Sequence, residues 1–251
     1  MATLLLRLAA PMQSWGFASK FDRRLTEKEP TKSGVIGMLA CAMGIRREDP
    51  LGELVNLTFG VRIDQPGDLD IDFQMAHEQT RSKNSASWVT HRYYLMDAIF
   101  LAGVEGNQTF LEEIEQALRY PAFPVYLGRR SCPPSGQLSL GIRDKKLRKA
   151  LQEEPWLAAH KYCRHARKEP PTFLEIARDA ALDENPTYSV RDVPITFSQK
   201  RRMYDFRNVV REQVPLSRIW SPPDTDLMGT NVETNHDPMD LLEAENVSIA
   251  D

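Results

Sequence analysis

Cysteine is scarce in this chain, and what there is does not pair. Cys41, Cys132 and Cys163 are three in 251 residues, far apart and without a C-x-x-C. That excludes a disulfide framework and fits a reduced, cytoplasmic setting. Metal ligands are equally thin. His160-x-x-Cys163-x-His165 is one cluster lacking the second pair that a closed four-ligand zinc site needs. No G-x-x-x-x-G-K-[ST] loop is present, which removes Walker-type nucleotide binding. There is no G-x-S-x-G and no H-x-x-x-H, and the histidines at 77, 91, 160, 165 and 236 are scattered. Long apolar runs are missing too: the one at residues 4–10 is broken by Arg7 and is too short for a signal peptide or a membrane span. No metal, cofactor or membrane partner is expected.

Basic residues are absent beyond Arg218. Eight of the 35 acidic residues and none of the 32 basic ones follow it, so the tail carries −8 and the preceding body +5. The net charge of −3 therefore hides a positive body, the asymmetry expected of a protein with a polyanionic partner. With 41% hydrophobic and 27% charged residues, the body can build a core and remain soluble.

Acids are also missing from residues 79–96, QTRSKNSASWVTHRYYLM, which hold Arg81, Lys83 and Arg92 with Trp88, Tyr93 and Tyr94. Cations neutralise phosphates and aromatic rings stack on bases, so this stretch suits RNA or single-stranded DNA. A solvated cationic face on a two-stranded ribbon is the plainer alternative. A second acid-free stretch, residues 116–143, contains Gly128-Arg129-Arg130-Ser131. Glycine allows close approach there, and paired arginines fork onto phosphates or stack on bases. At Thr31-Lys32-Ser33-Gly34, a helix start offers N–H groups and a positive dipole end to an anion, with Lys32 adding charge and Ser33 a hydroxyl; a plain N-cap explains the same residues. His91, Tyr93 and Lys83 also supply the residue types of a metal-independent ribonuclease, which needs a base, an acid and a cation for the phosphorane.

The pattern of elements is mixed. Residues 3–9 read as a buried strand, and residues 31–44 as a helix capped at Thr31 or Ser33 and stopped at Gly44. Residues 55–64 read as a strand ending in the Gln65-Pro66-Gly67 turn, and residues 71–76 as another. Residues 96–104 suit a central strand, and Thr109-x-x-Glu112 a capping box before a helix with Leu111, Ile114 and Leu118 inward. Short strands are expected at 125–127 and 138–142, and a helix within 144–154. Thr172-x-x-Glu175 predicts a further capped helix, and residues 191–214 a strand pair around Lys200-Arg201-Arg202. In order this gives β-α-β, an excursion, β-α-β: an α+β, ferredoxin-like split βαβ pattern, also the RRM platform for single-stranded RNA.

Five segments in series carry a resemblance. LLLRLAAPMQSWG at 4–16, EPTKSGVIGMLA at 29–40, YLGRRSCP at 126–133, RDVP at 191–194 and HDPM at 236–239 together resemble the CasD family, the small RAMP-superfamily subunits of the type I-E CRISPR Cascade complex. The resemblance implies a non-catalytic subunit that grips the 5′ handle of CRISPR RNA (crRNA), caps the CasC backbone filament and touches the large CasA subunit, with target DNA in the complex as a further candidate contact. It implies a ferredoxin-like (RRM-type) RAMP domain over 1–142 with a thumb hairpin inserted at about 77–95. A smaller β-containing extension over 143–220 and an acidic tail over 221–251, partly disordered, are expected to follow. The RNA-binding residues then expected are Gln13, Ser14, Trp15, Arg23, Lys32, Ser33, Arg81, Lys83, Arg92, Arg129, Arg130 and Ser131. Two rivals remain: an endoribonuclease processing repeat RNA through His91, Tyr93 and Lys83, and a protein-interaction module whose acidic tail docks a basic partner.

Overall fold

Strand β1 (Ala2–Ala9) is apolar on both faces, and that decides how the chain stacks around it. Leu4, Leu6 and Leu8 point into one core and Leu5 into another, as period-two alternation requires. The computed structural model describes residues 1–16, 22–77, 87–158 and 170–220. Within them β1 lies between β7 (Ile99–Gly106) and β8 (Ser139–Arg143), antiparallel to both. β4 (Thr58–Gln65) pairs with the far side of β7. Helix α1 (Lys32–Ala42) connects β1 to β4, and α2 (Gln108–Arg119) connects β7 to β8. Both helices pack on the Leu4–Leu6–Leu8 side. The short α3 (Leu147–Glu153) covers the opposite face with Leu147 and Leu151 against Leu5, Leu101 and Ile176.

The chain then extends this sheet. β9 (Phe173–Asp179) adds to β4, β11 (Met203–Pro215) to β9, and β10 (Tyr188–Thr196) to β11, giving seven strands in the order β10-β11-β9-β4-β7-β1-β8. A second sheet is built on β5 (Asp68–His77) and β6 (Ser87–Met96), paired in register from Asp68↔Met96 to His77↔Ser87. Two short strands, β2 (Met12–Gln13) and β3 (Arg23–Arg24), flank β6. The architecture is thus mixed α+β with large antiparallel sheets. No helix among the described residues is long and apolar enough to cross a membrane.

Several sequence expectations need correction. Phe173–Asp179 form β9, where Thr172-x-x-Glu175 predicted a capped helix. Leu174 and Ile176 face inward, and the backbone finds ladder partners on both sides, in β4 and β11, which overrides local helix propensity. Residues 125–127 form no strand. Pro121 and Pro124 precede them, and Leu127 N–H donates to Cys132 within a turn. Helix α2 is capped by Asn107, whose side chain accepts from Thr109 N–H at 2.9 Å, so Thr109 lies inside the helix rather than at its cap. Helix α3 starts only at Leu147, where Glu105 from β7 accepts the Leu147 N–H. Of the basic stretch at 79–96, the described residues 87–96 form β6, paired to the acid-bearing β5.

Two deeply placed arginines are matched by carboxylates. Arg62 is fully buried, with its guanidinium on Asp64 at 2.7 and 2.9 Å and on the carbonyls of Leu151, Glu154 and Pro155. Arg178 bridges Glu184 and Glu212. The hydrogen bond from Arg178, with one from Ala181 N–H, depresses the Glu184 carboxyl to about 2, below its ordinary 4.5. A depressed carboxylate stabilises the fold above its ordinary value and loses that contribution as pH falls through its folded value. Acid unfolding followed between pH 5 and 2 should therefore show a component that Glu184→Gln removes, with the two proteins converging toward pH 2; parallel curves would show that the pair does not contribute.

Candidate nucleic-acid interface

The segment after β1 is folded back by its own side chains. Gln13 is fully buried; its amide donates to the carbonyls of Leu8 (3.2 Å) and Ala98 (2.7 Å) and accepts from the Trp15 indole (3.1 Å). Ser14 donates to the Tyr93 carbonyl of β6, and Trp15 N–H to Thr26. Trp15 is 1% exposed and lies on Gly34 of α1, where a Cβ would meet the indole at 2.8 Å. Gln13, Ser14 and Trp15 are thus a foundation on which the site is laid, and Trp15 offers no free face for a base.

The start of α1 is also engaged. Thr31 accepts from Gly34 N–H at 3.2 Å, and Lys32 N–H donates to Asp192 at 2.8 Å. The Lys32 ammonium, buried, pairs with Asp179 at 2.9 Å. Asp179 and Asp192 are joined in turn by Arg207, and Asp179 accepts from Phe59 N–H. The helix start therefore anchors α1 to β4, β9, β10 and β11, with its leading N–H and its cation committed within the protein.

What lies open is a groove beyond it, about 780 Å³ in volume. Its floor is α1 at Ser33, Gly34 and Gly37. One wall is the loop carrying Phe123, Tyr126 and Arg130, and the other is the β10–β11 turn with Phe197, Arg202 and Tyr204. Arg46 and Arg47 close one end. Among the described residues, no aspartate or glutamate lines it. Arg46, Arg47, Arg130 and Arg202 are all exposed, and none makes an ion pair among the described residues. Four free guanidinium groups around an acid-free, aromatic-walled groove attract a sugar-phosphate chain and offer rings to its bases.

Gly128 links this groove to the hairpin. Its φ is +86°, and a Cβ would overlap the Ser14 carbonyl oxygen, so the turn passes against Ser14 in a way only glycine permits. Arg130 then points into the groove, while Arg129 turns the other way and stacks on Tyr94 of β6, its carbon 4.6 Å from the ring centre. Arg129 also donates to the Arg24 carbonyl, and Tyr94 meets Ser131 at 3.5 Å. Burial alone would raise the Tyr94 phenol; Ser131, Arg129 and Arg92 around it outweigh that and hold it below its ordinary value. Arg23 and Arg24 run alongside His91 and Arg92 in the β3–β6 ladder. His91 and Tyr93 share the other ribbon face, where the His91 ring meets Phe73 edge-on at 5.8 Å. Arg81 and Lys83 lie outside the described residues, as does the His160–His165 cluster.

The sequence reading brought Arg130, Ser33, Ser14 and Trp15 to this groove but missed Arg46, Arg47, Phe123, Tyr126, Arg202 and Tyr204. The signals were present: Arg130, Phe123 and Tyr126 fall in the acid-free stretch 116–143, and Arg202 ends a basic triplet.

Residues 3–210 match the model of the family described as CRISPR-associated protein (Cas_Cas5), and the chain belongs to that family. The CRISPR system Cascade subunit CasD of Escherichia coli (strain K12) is 36% identical over 158 residues, covering 55% of this chain and 70% of that protein. A solved chain described as a CRISPR RNA-guided surveillance complex superposes with a TM-score of 0.71 at 33% identity, covering 90% of this chain and 96% of its own. A crystal structure of a Cas protein matches with a TM-score of 0.69 at 38% identity, over 88% and 99%.

Gly128→Ala should lower both the melting temperature and RNA affinity, because moving the turn off Ser14 displaces Arg129 and Arg130 together. Gly52→Ala is the control, at a φ of +57° with nothing within 4 Å of the added methyl. It should cost only about 1–2 kcal/mol of left-handed strain and leave binding intact. Equal behaviour of the two variants would show that the turn does not set the site.

Proposed function

We propose that this chain is a subunit of a cytoplasmic CRISPR surveillance complex of the Cascade type, which holds the 5′ handle of crRNA without cutting it. The observation that carries this reading is the groove over α1, where, among the described residues, Arg46, Arg47, Arg130 and Arg202 make no ion pair and no carboxylate joins the lining. Family membership and the Cascade relative supply the context. On this reading, residues 1–142 are the ferredoxin-like RAMP body, the β5–β6 hairpin its thumb, and residues 143–220 the extension. The body caps the CasC backbone filament and meets CasA. Holding follows from the chemistry on offer: fixed cations for phosphates and aromatic walls for bases. A cutting role is disfavoured by placement, since His91 and Tyr93 sit on the ribbon face with Phe73 and do not line the groove.

Arg46→Glu with Arg47→Glu, made in the co-expressed complex, should reduce co-purifying guide RNA about tenfold or more, since phosphate contacts dominate affinity and reversed charge repels. The wild-type chain should leave repeat RNA intact in EDTA. Undiminished guide RNA in the variant would overturn the groove, and specific cleavage abolished by His91→Ala would favour the nuclease.

A further inference from the structure

The arginines of this protein fall into two groups. Arg62, Arg178, Arg207 and Arg211 each face carboxylates at ion-pair distance. Arg92 and Arg129 do not. Arg92 Nε and Arg129 Nη1 are both buried, and neither has a hydrogen-bond partner. Asp72 faces Arg92 across the ribbon, but it accepts from Gln74 and forms no ion pair with Arg92. A buried donor nitrogen with no acceptor is costly, and each of these two half-buried side chains keeps one while the arginines named above are paired. They are moreover neighbours: both flank Tyr94, whose hydroxyl meets Ser131, and Arg24 lies beside Arg92 in the ladder.

We infer that Arg92 and Arg129, with the Tyr94 and Ser131 hydroxyls, form an anchor for a single phosphodiester of the bound strand, closed in the free protein. The inference rests on the RNA-binding reading above and adds to it a second, separate point of attachment across the Gly128–Ser131 turn. A phosphodiester is the fitting ligand because two guanidinium forks and two hydroxyls converge there, while the carboxylates opposite on β5, Asp70 and Asp72, leave both guanidinium groups without an ion pair among the described residues. A base edge would need acceptors as well as donors. The closure is shallow: Arg129 is held by a ring stack and one carbonyl, and the Tyr94–Ser131 contact is at the long limit of a hydrogen bond. An entering phosphate supplies the missing acceptors and so favours the open arrangement by its own differential contacts. Arg130, one residue away, touches the strand in the groove, so two successive arginines would grip different points of one chain.

The test uses the full-length protein and two labelled single-stranded oligoribonucleotides of equal length, one with bases and one abasic, titrated across salt concentration. Arg92→Gln with Arg129→Gln should weaken both ligands alike and lower the slope of log affinity against log salt by about 0.7, the value for one phosphate on a single strand. If this pair does not fold, Arg92→Gln and Arg129→Gln alone should each lower the slope. An unchanged slope in variants that fold, while the Arg46→Glu, Arg47→Glu protein loses binding, overturns the anchor and leaves the groove standing. Binding unchanged in both sets overturns the RNA reading as well. A loss confined to the oligonucleotide with bases shows base contact, and also overturns the anchor.

Discussion

Lys32, Asp179, Asp192 and Arg207 form the constraint on which the rest of the site depends. Two carboxylates and two cations close a ring across four elements: the ammonium and leading N–H of α1 on one side, β9 and β10 on the other, and Arg207 of β11 between the carboxylates. Buried charges are tolerable only when every member is matched, and here each carboxylate meets two donor groups, with Phe59 N–H of β4 as a further one on Asp179. The ring fixes where α1 begins. Because α1 is the floor of the groove, it also fixes the distance between the Phe123–Arg130 wall and the β10–β11 turn. The later strands are therefore part of the site's frame, although they come last in the chain.

The same economy of charge explains the site's sign. Asp179 and Asp192 are drawn into the network at the start of α1, together with the lysine that sequence alone would have aimed at a phosphate. Past that point the described lining of the groove has no acid, and its four arginines make no ion pair among the described residues. A body of +5 in a chain of net −3 is thus concentrated where it has effect, rather than spread evenly. The Gly128 turn divides the cationic charge between two places, sending Arg130 to the groove and Arg129 to the hairpin.

Elements whose stability is local were legible in the sequence. The apolar β1, the Thr31-capped α1 and the Leu111–Ile114–Leu118 face of α2 all follow from short-range periodicity and capping. Elements that exist because of distant partners were not. Residues 172–180 carry the marks of a helix start, and Phe173–Asp179 become a strand only because β4 and β11 offer a slot between them. Lys32 and Asp179 are 147 residues apart, so no local pattern could assign that ammonium to structure rather than to a ligand. The groove behaves likewise: Arg130 was visible in an acid-free stretch, whereas Arg46, Arg47 and Arg202 join it only through the packing of α1 against β10 and the loop before β8. Gln13 and Trp15 were picked out by residue type, but burial gives them a supporting role.

Photo-crosslinking of the assembled complex, with guide RNA carrying 4-thiouridine in its 5′ handle, tests the central claim most directly. Crosslinked peptides should contain Phe123, Tyr126 or Tyr204, the rings that wall the arginine groove. Handle crosslinks that fell wholly on other segments of this chain, with those three peptides unmodified, would contradict the account.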